Sequence, residues 1–185
     1  MIDQGRPAAP AFRLRSAPFC PVAQVAKVAL GACGSSWTHE VAPEGARASL
    51  TASMDAGLVG VADEAATMLD LIEEMHPFGP LLPADPEARS AVRAVAGLGL
   101  DLRRRLSAVT RALDSTDHDM AVYRLREGLR RIEARLPAVP DAPSLDRAGA
   151  ALAPTLWRLR VLDVRCETFL LTGFPCLSAW AASLA

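Results

Sequence analysis

The sequence predicts two domains of different class, an α+β domain at residues 11–76 and an all-α domain at residues 86–185. Short alternating or apolar segments, typical of strands, occur only in the first range. In the second range, apolar residues recur at spacings of three and four, as on one face of a helix. Residues 77–85 contain three prolines and indicate a linker. Residues 1–10, with a glycine and two prolines, are expected to form a mobile arm.

In the first domain the elements are predicted in the order strand, helix, strand, β-hairpin, helix. Their predicted ranges are 12–15, 21–31, 37–41, the pair 49–54 and 58–61, and 63–75, the last helix being capped by Asp63. This is the arrangement of a thioredoxin-like domain. Between the second strand and the hairpin there is room for little more than one helical turn.

Four helices are predicted in the second domain. They run from Pro86 to about residue 113, over the apolar positions 120–132, from about Asp146 to residue 165, and onward from Pro175. Trp157 and Trp180 stand at helical spacing from leucines, which favours places in the core. Arginines at 103–105 and 124–131 indicate solvated helix faces.

Cys20 is the residue with the clearest chemical potential. It stands between a predicted strand and Pro21, whose fixed φ and missing N–H suit the first turn of a helix. The unpaired N–H groups at that end of a helix stabilise a thiolate, which is the nucleophilic form of cysteine. Because position 23 is alanine, any disulfide chemistry would use a single thiol. The alternative is an inert, buried cysteine.

Composition and charge exclude several function classes. The formal net charge of −1 gives no electrostatic basis for binding nucleic acid or an anionic membrane. No signal peptide or membrane-spanning apolar run is present, so the cytoplasm is the expected location. The four cysteines and three histidines show no metal-like spacing, and no metal cofactor is predicted.

Five segments resemble, in the correct order, the cysteine-type glutathione transferases, namely omega-like and related bacterial forms. The first is the turn Pro18-Phe19-Cys20-Pro21; the others are 63–74 (Glu-Ser motif and helix), 81–89 (interdomain linker), 153–159 and 173–180 (the last helices). The resemblance covers almost the whole chain. It implies a thioredoxin-like domain and an all-α domain, glutathione as cosubstrate, a small electrophilic or disulfide substrate, and a homodimer. It also implies that the helix with the arginines at 103–105 lines the interdomain cleft and the dimer surface, where an arginine could face an acidic ligand or a carboxylate of the partner.

The same resemblance implies a glutathione site along Val22, Leu50, Thr51, Glu64 and Ala65, with Cys20 as the catalytic thiol. Glu64 retains the carboxylate of the family's Glu-Ser pair, whereas Ala65 lacks the serine hydroxyl; Glu64 is otherwise an acidic residue that complements the helix dipole. Leu50-Thr51 occupies the place of a Val-Pro pair with a cis bond. A cis bond before threonine costs about 3 kcal/mol, so a trans bond is expected.

Two further positions depart from the family pattern. Val25 replaces an arginine that usually follows the glutamine of the cysteine turn. Asp146 and Gly149 replace a Ser-x-x-Asp capping motif, so that Asp146 retains capping ability but the reciprocal carboxylate is gone.

Two functions from different classes remain open. The first is a glutathione-dependent transferase or thiol reductase that uses Cys20. The second is a binding or regulatory protein that keeps the fold but has lost the ordinary glutathione site, and a pathway-specific enzyme is a further possibility. Cys20 and Glu64 favour the enzyme; Val25, Thr51 and Ala65 favour the binding protein.

Overall fold

The structure is a computed structural model that describes residues 11–54, 57–77, 79–136 and 145–184. The predicted arm at residues 1–10 lies outside the described residues. Contacts divide the chain into two compact units, Met1–Leu81 and Leu82–Ala185, and the division falls within the predicted linker at 77–85.

The described residues of the first unit form a four-stranded sheet and two helices. The strands are β1 (Ala11–Ser16), β2 (Ser36–Val41), β3 (Ser49–Met54) and β4 (Gly57–Ala62), in the spatial order β2-β1-β3-β4. β1 runs parallel to β2 and antiparallel to β3, and β3 is antiparallel to β4. The helices are α1 (Pro21–Ala32) and α2 (Ala65–Met75). The predicted thioredoxin-like βαβ-ββα order is confirmed.

One face of this sheet is buried and apolar. Phe12 and Leu14 of β1 and Leu50 of β3 are buried on that face, and α1 packs against α2, which contacts β3 and β4. Residues of the opposite face, such as Arg13 and Thr51, are exposed or half-exposed. Residues 42–48 join β2 to β3 without a helix. The alternating pattern therefore matches a sheet that has its helices on one side.

Within residues 82–136 and 145–184, the second unit has four helices: α3 (Pro86–Val109), α4 (Ser115–Glu133), α5 (Arg147–Cys166) and α6 (Pro175–Ser183). α3 packs on both α4 and α5. Their shared core is mainly leucine: Leu102, Leu106, Leu125, Leu129, Leu152, Leu156 and Leu159, with Ile132 and Trp180. The predicted capping of α5 is confirmed, since the Asp146 carboxylate accepts a hydrogen bond from the Gly149 N–H at 2.9 Å.

Two predicted helix ends are wrong. α2 is capped by Glu64 and not by Asp63, because Glu64 is extended and its N–H donates to the Thr67 hydroxyl at 3.2 Å. The Asp63 carboxylate pairs instead with Arg47 at 3.2 Å. α3 ends at Val109 and does not reach residue 113, which lies in the irregular connection to α4.

Predictions for three long side chains also need correction. Trp180 is buried as expected, but Trp157 is 52% exposed and lies outside the core. Arg105, predicted on a solvated face, pairs with Asp101 at 2.6 Å and is half-buried. Arg126 lies over the Phe174 ring, 5.2 Å from its centroid.

Candidate functional site

The strand register brings the candidate residues of the first unit to one edge of the sheet. β1 ends where β3 begins, because Arg15 pairs with Ser49, and β4 ends there too, because Leu50 pairs with Ala62. The turn at 17–20 and the start of α2 follow directly from these strand ends. The N-termini of both helices, and with them Cys20 and Glu64, therefore emerge at this edge.

Cys20 is the N-cap residue of α1. Its N–H donates to the Ala17 carbonyl at 3.2 Å, and its carbonyl accepts from the Gln24 N–H at 3.1 Å. No side chain among the described residues caps this end of the helix, so the first-turn N–H groups, including that of Val22, are available to an anion. The thiol is half-buried, whereas the neighbouring Phe19 is 91% exposed. A thiol in this position is reachable and lies at the positive end of the helix.

A buried polar contact anchors the turn that carries Cys20. The Ser16 hydroxyl is fully buried and lies 3.0 Å from Nε2 of His39 on β2. The Ser16 carbonyl also accepts from the Ala42 N–H at 2.9 Å. This pair has no local sequence signal, because the two residues are far apart in the chain and become neighbours only through the parallel register of β1 and β2.

The direction of the Ser16 carbonyl also fixes which way the neighbouring main-chain groups face. The Ser16 carbonyl points to β2. Because the main-chain groups of successive strand residues point to alternate sides, the N–H and carbonyl of Arg15 point to β3. Arg15 and Ser49 are therefore a hydrogen-bonded pair of the antiparallel ladder.

The same alternation engages the main chain of Leu50 and Thr51 in the sheet. The main-chain N–H and carbonyl of Leu50 face Ala62 on β4, and those of Thr51 face Arg13 on β1. The Leu50–Thr51 bond is trans, as expected, since the described peptide bonds include none in cis.

The start of α2 brings acidic groups to the same edge. Glu64 is exposed, and its main-chain carbonyl accepts from the Thr67 hydroxyl at 2.9 Å. Ala65 is buried in the first turn of the helix. The Arg47–Asp63 ion pair lies beside this turn and is largely exposed. The two carboxylates can bind a cationic group of a ligand, and the helix N–H groups and the guanidinium can bind an anionic group of the same ligand.

Cys33 lies at the opposite end of α1, where it is the C-cap residue. Burial, and secondarily the charge of Glu73, raise the pKa of the Cys33 thiol. It is therefore a poor nucleophile near neutral pH. In the part of the chain that the structure describes, no three His, Cys, Asp or Glu side chains come together as a metal site.

No protein-family profile and no curated protein matches the sequence. The three-dimensional fold, in contrast, has many solved counterparts. Glutathione transferase Omega 3C from Trametes versicolor superposes with a TM-score of 0.75 at 16% identity, over 97% of this chain and 86% of that one. The chain has the fold of the glutathione transferases.

Two further structures show the breadth of this likeness to glutathione transferases. A Tau class glutathione S-transferase from mango, Mangifera indica, gives a TM-score of 0.72 at 19% identity, covering 94% of this chain and 87% of that one. Maleylacetoacetate isomerase from Anaeromyxobacter dehalogenans, solved with glutathione in its active site, gives a TM-score of 0.70 at 21% identity. The match covers 95% of this chain and 90% of that one. The resemblance seen in the sequence is thus confirmed at the level of the fold. None of the described helices is long and apolar enough to cross a membrane.

Proposed function

We propose that this chain is a member of the glutathione transferase superfamily and acts as a glutathione-dependent thiol transferase with Cys20 as its nucleophile. The observation that carries the proposal is the position of Cys20: an accessible thiol at the uncapped N-terminus of α1, at the sheet edge where α2 also begins. A structural neighbour of the same fold holds glutathione in its active site.

The reaction needs only one protein thiol. The Cys20 thiolate attacks the glutathionyl sulfur of a mixed disulfide, forms a Cys20–glutathione disulfide and expels the substrate thiolate, which takes up a proton. The thiolate of a second glutathione then attacks the glutathionyl sulfur bound to Cys20. Oxidised glutathione leaves and the Cys20 thiolate returns. A small electrophile is the alternative second substrate.

Glutathione would lie along the edge formed by α1, α2 and the segment before β3. Its γ-glutamyl ammonium suits the carboxylates of Asp63 and Glu64, and its γ-glutamyl carboxylate suits the N–H groups of the first turn of α2, which begins at Ala65. Leu50 and Thr51, whose main-chain groups already pair within the sheet, would flank the cysteinyl part of glutathione. The glutathione thiol would then point to Cys20 and the N–H of Val22.

Calorimetric titration of glutathione into the wild type and Cys20→Ser tests the proposal first. We expect binding with a Kd from the micromolar to the low millimolar range in both proteins. Turnover of a glutathione mixed disulfide and formation of a glutathionyl adduct by mass spectrometry are expected only where Cys20 is present. Cys33→Ser is the matched control and is expected to keep both. Absence of glutathione binding to folded protein, or turnover that survives Cys20→Ser, would overturn the proposal.

A non-catalytic binding or regulatory role is the second candidate. It is favoured by the pairing of Leu50 and Thr51 within the sheet and by the missing hydroxyl at Ala65. This candidate predicts a protein that binds no glutathione but keeps its partner binding in Cys20→Ser. For either role we expect a cytoplasmic homodimer, which light scattering on the eluting protein would test.

A further inference from the structure

α5 has an apolar seam on the side that faces away from its own core. The seam consists of Trp157, Val161 and Val164, which are 52%, 37% and 69% exposed. Their spacing of four and then three residues is the d-a-d spacing of a coiled-coil heptad. The core side of the same helix is formed by the fully buried Leu152, Leu156 and Leu159. α5 therefore has two apolar sides, and only one is used within its unit.

The positions that flank the seam are all arginine. With Trp157 and Val164 at d, the e positions are Arg158 and Arg165, and the g position is Arg160. Asp163 is the only acidic residue of α5, and it falls at position c. Arg158 and Arg165 make the e side of the seam cationic, whereas the Arg160 guanidinium on the g side donates to the Ala181 and Ala182 carbonyls at 3.2 Å.

A firmly held loop follows the end of α5. The Asp163 carboxylate accepts hydrogen bonds from the Thr168 hydroxyl at 2.6 Å and from the N–H groups of Leu170 and Leu171 at 2.6 and 2.9 Å. These bonds keep Phe169 beside the last turn of α5, with left-handed backbone (φ 53°) and a 64% exposed ring. A bulky residue adopts this conformation only when its surroundings impose it.

We propose that the α5 seam is the docking surface for an acidic amphipathic helix of a partner protein. The apolar a and d residues of that helix would cover Trp157, Val161 and Val164, and its Glu or Asp residues at e and g would face the arginines. A second copy of this chain does not fit, because pairing of two such seams would set arginine against arginine. A membrane surface suits a broad apolar face, whereas this seam is a narrow line.

Two designed peptides test the charge complementarity directly. Both carry leucine at a and d over about three heptads, one with glutamate and one with lysine at e and g. Fluorescence anisotropy with labelled peptide should show that the acidic peptide binds the wild type at least about tenfold more tightly than the basic one, and less tightly as salt rises. The double variant Arg158→Glu/Arg165→Glu should reverse that preference.

Val164→Asp should abolish binding of the acidic peptide, whereas Leu113→Asp, at a 96% exposed position of the same unit, should leave it unchanged. Circular dichroism shows whether both variants keep their helices. Equal affinity for the two peptides, no binding of the acidic peptide, or binding that survives Val164→Asp would overturn the proposal. So would binding to phosphatidylserine-rich vesicles in preference to the acidic peptide. Cys20→Ser should not alter the result, so the test is independent of the proposed catalytic function.

Discussion

The charge of Glu73 acts on the thiol of Cys33, and a substitution can remove that charge. Because the charge of Glu73 contributes to the raised pKa of the Cys33 thiol, Glu73→Gln should lower that pKa and increase the thiolate fraction. We expect alkylation of Cys33 by iodoacetamide at pH 8 to become a few times faster, measured by peptide mass spectrometry. Burial is the larger cause and remains, so the change should be modest.

Glu74→Gln is the matched control for this charge effect, since Glu74 is exposed on the same turn of α2. It should leave the rate at Cys33 unchanged. A similar acceleration in both variants would mean that loosening of the helix, and not the charge of Glu73, controls the thiol.

His76 should make the stability of the first unit depend on pH. Its Nε2 lies 2.8 Å from the Ser35 hydroxyl, its ring stacks on Phe12, and burial lowers its pKa. A lowered pKa means that the unfolded chain binds the proton more readily, so stability is lost as pH falls below about 6.5, the ordinary histidine value. Urea unfolding from pH 7.5 to 5 should show this loss. The loss should be smaller in His76→Gln and unchanged in His118→Gln, because His118 is half-exposed.

Some of the candidate site could be predicted from the sequence because its signals are local. The place of Cys20 follows from Pro21 and the apolar helix after it, all within a few residues. The Ser16–His39 contact has no local signal, since it depends on strand pairing. The main-chain pairing of Leu50 with Ala62 likewise depends on the register of β3 and β4, which only the assembled sheet defines.

The N-terminal cap of α5 gives a direct test at the level of one helix. The Asp146 carboxylate satisfies the N–H of Gly149, so Asp146→Ala should lower the free energy of unfolding by about 1–2 kcal/mol. Asp146→Ser should retain most of the stability, because serine caps by the same bond. Chemical denaturation measures both values. Asp119→Ala, at an exposed position inside α4, serves as the control, and an equal loss there would contradict a capping role.

Helix and strand identities could be predicted, whereas some boundaries and faces could not. Periodicity indicated every helix of the second unit, yet it placed Trp157 in the core because α5 is apolar on two sides. Asp63 and Glu64 are both acidic, and the choice between them as cap depended on the hydroxyl of Thr67 and on the ion pair with Arg47. The contact of Asp63 with Arg47 lies outside the sequence window of the helix start, so capping rules alone do not reveal it.

Each unit has its own core, so a substitution that destabilises one core should mainly affect the unit that contains it. Leu14 is fully buried in the first unit and Leu129 in the second, and either change to alanine should cost about 2–5 kcal/mol. Hydrogen exchange by mass spectrometry should show faster exchange in α1 for Leu14→Ala and in α4 for Leu129→Ala. Exchange in the other unit should rise less in each case. If both variants raised exchange equally throughout, the two units would instead unfold as one cooperative body.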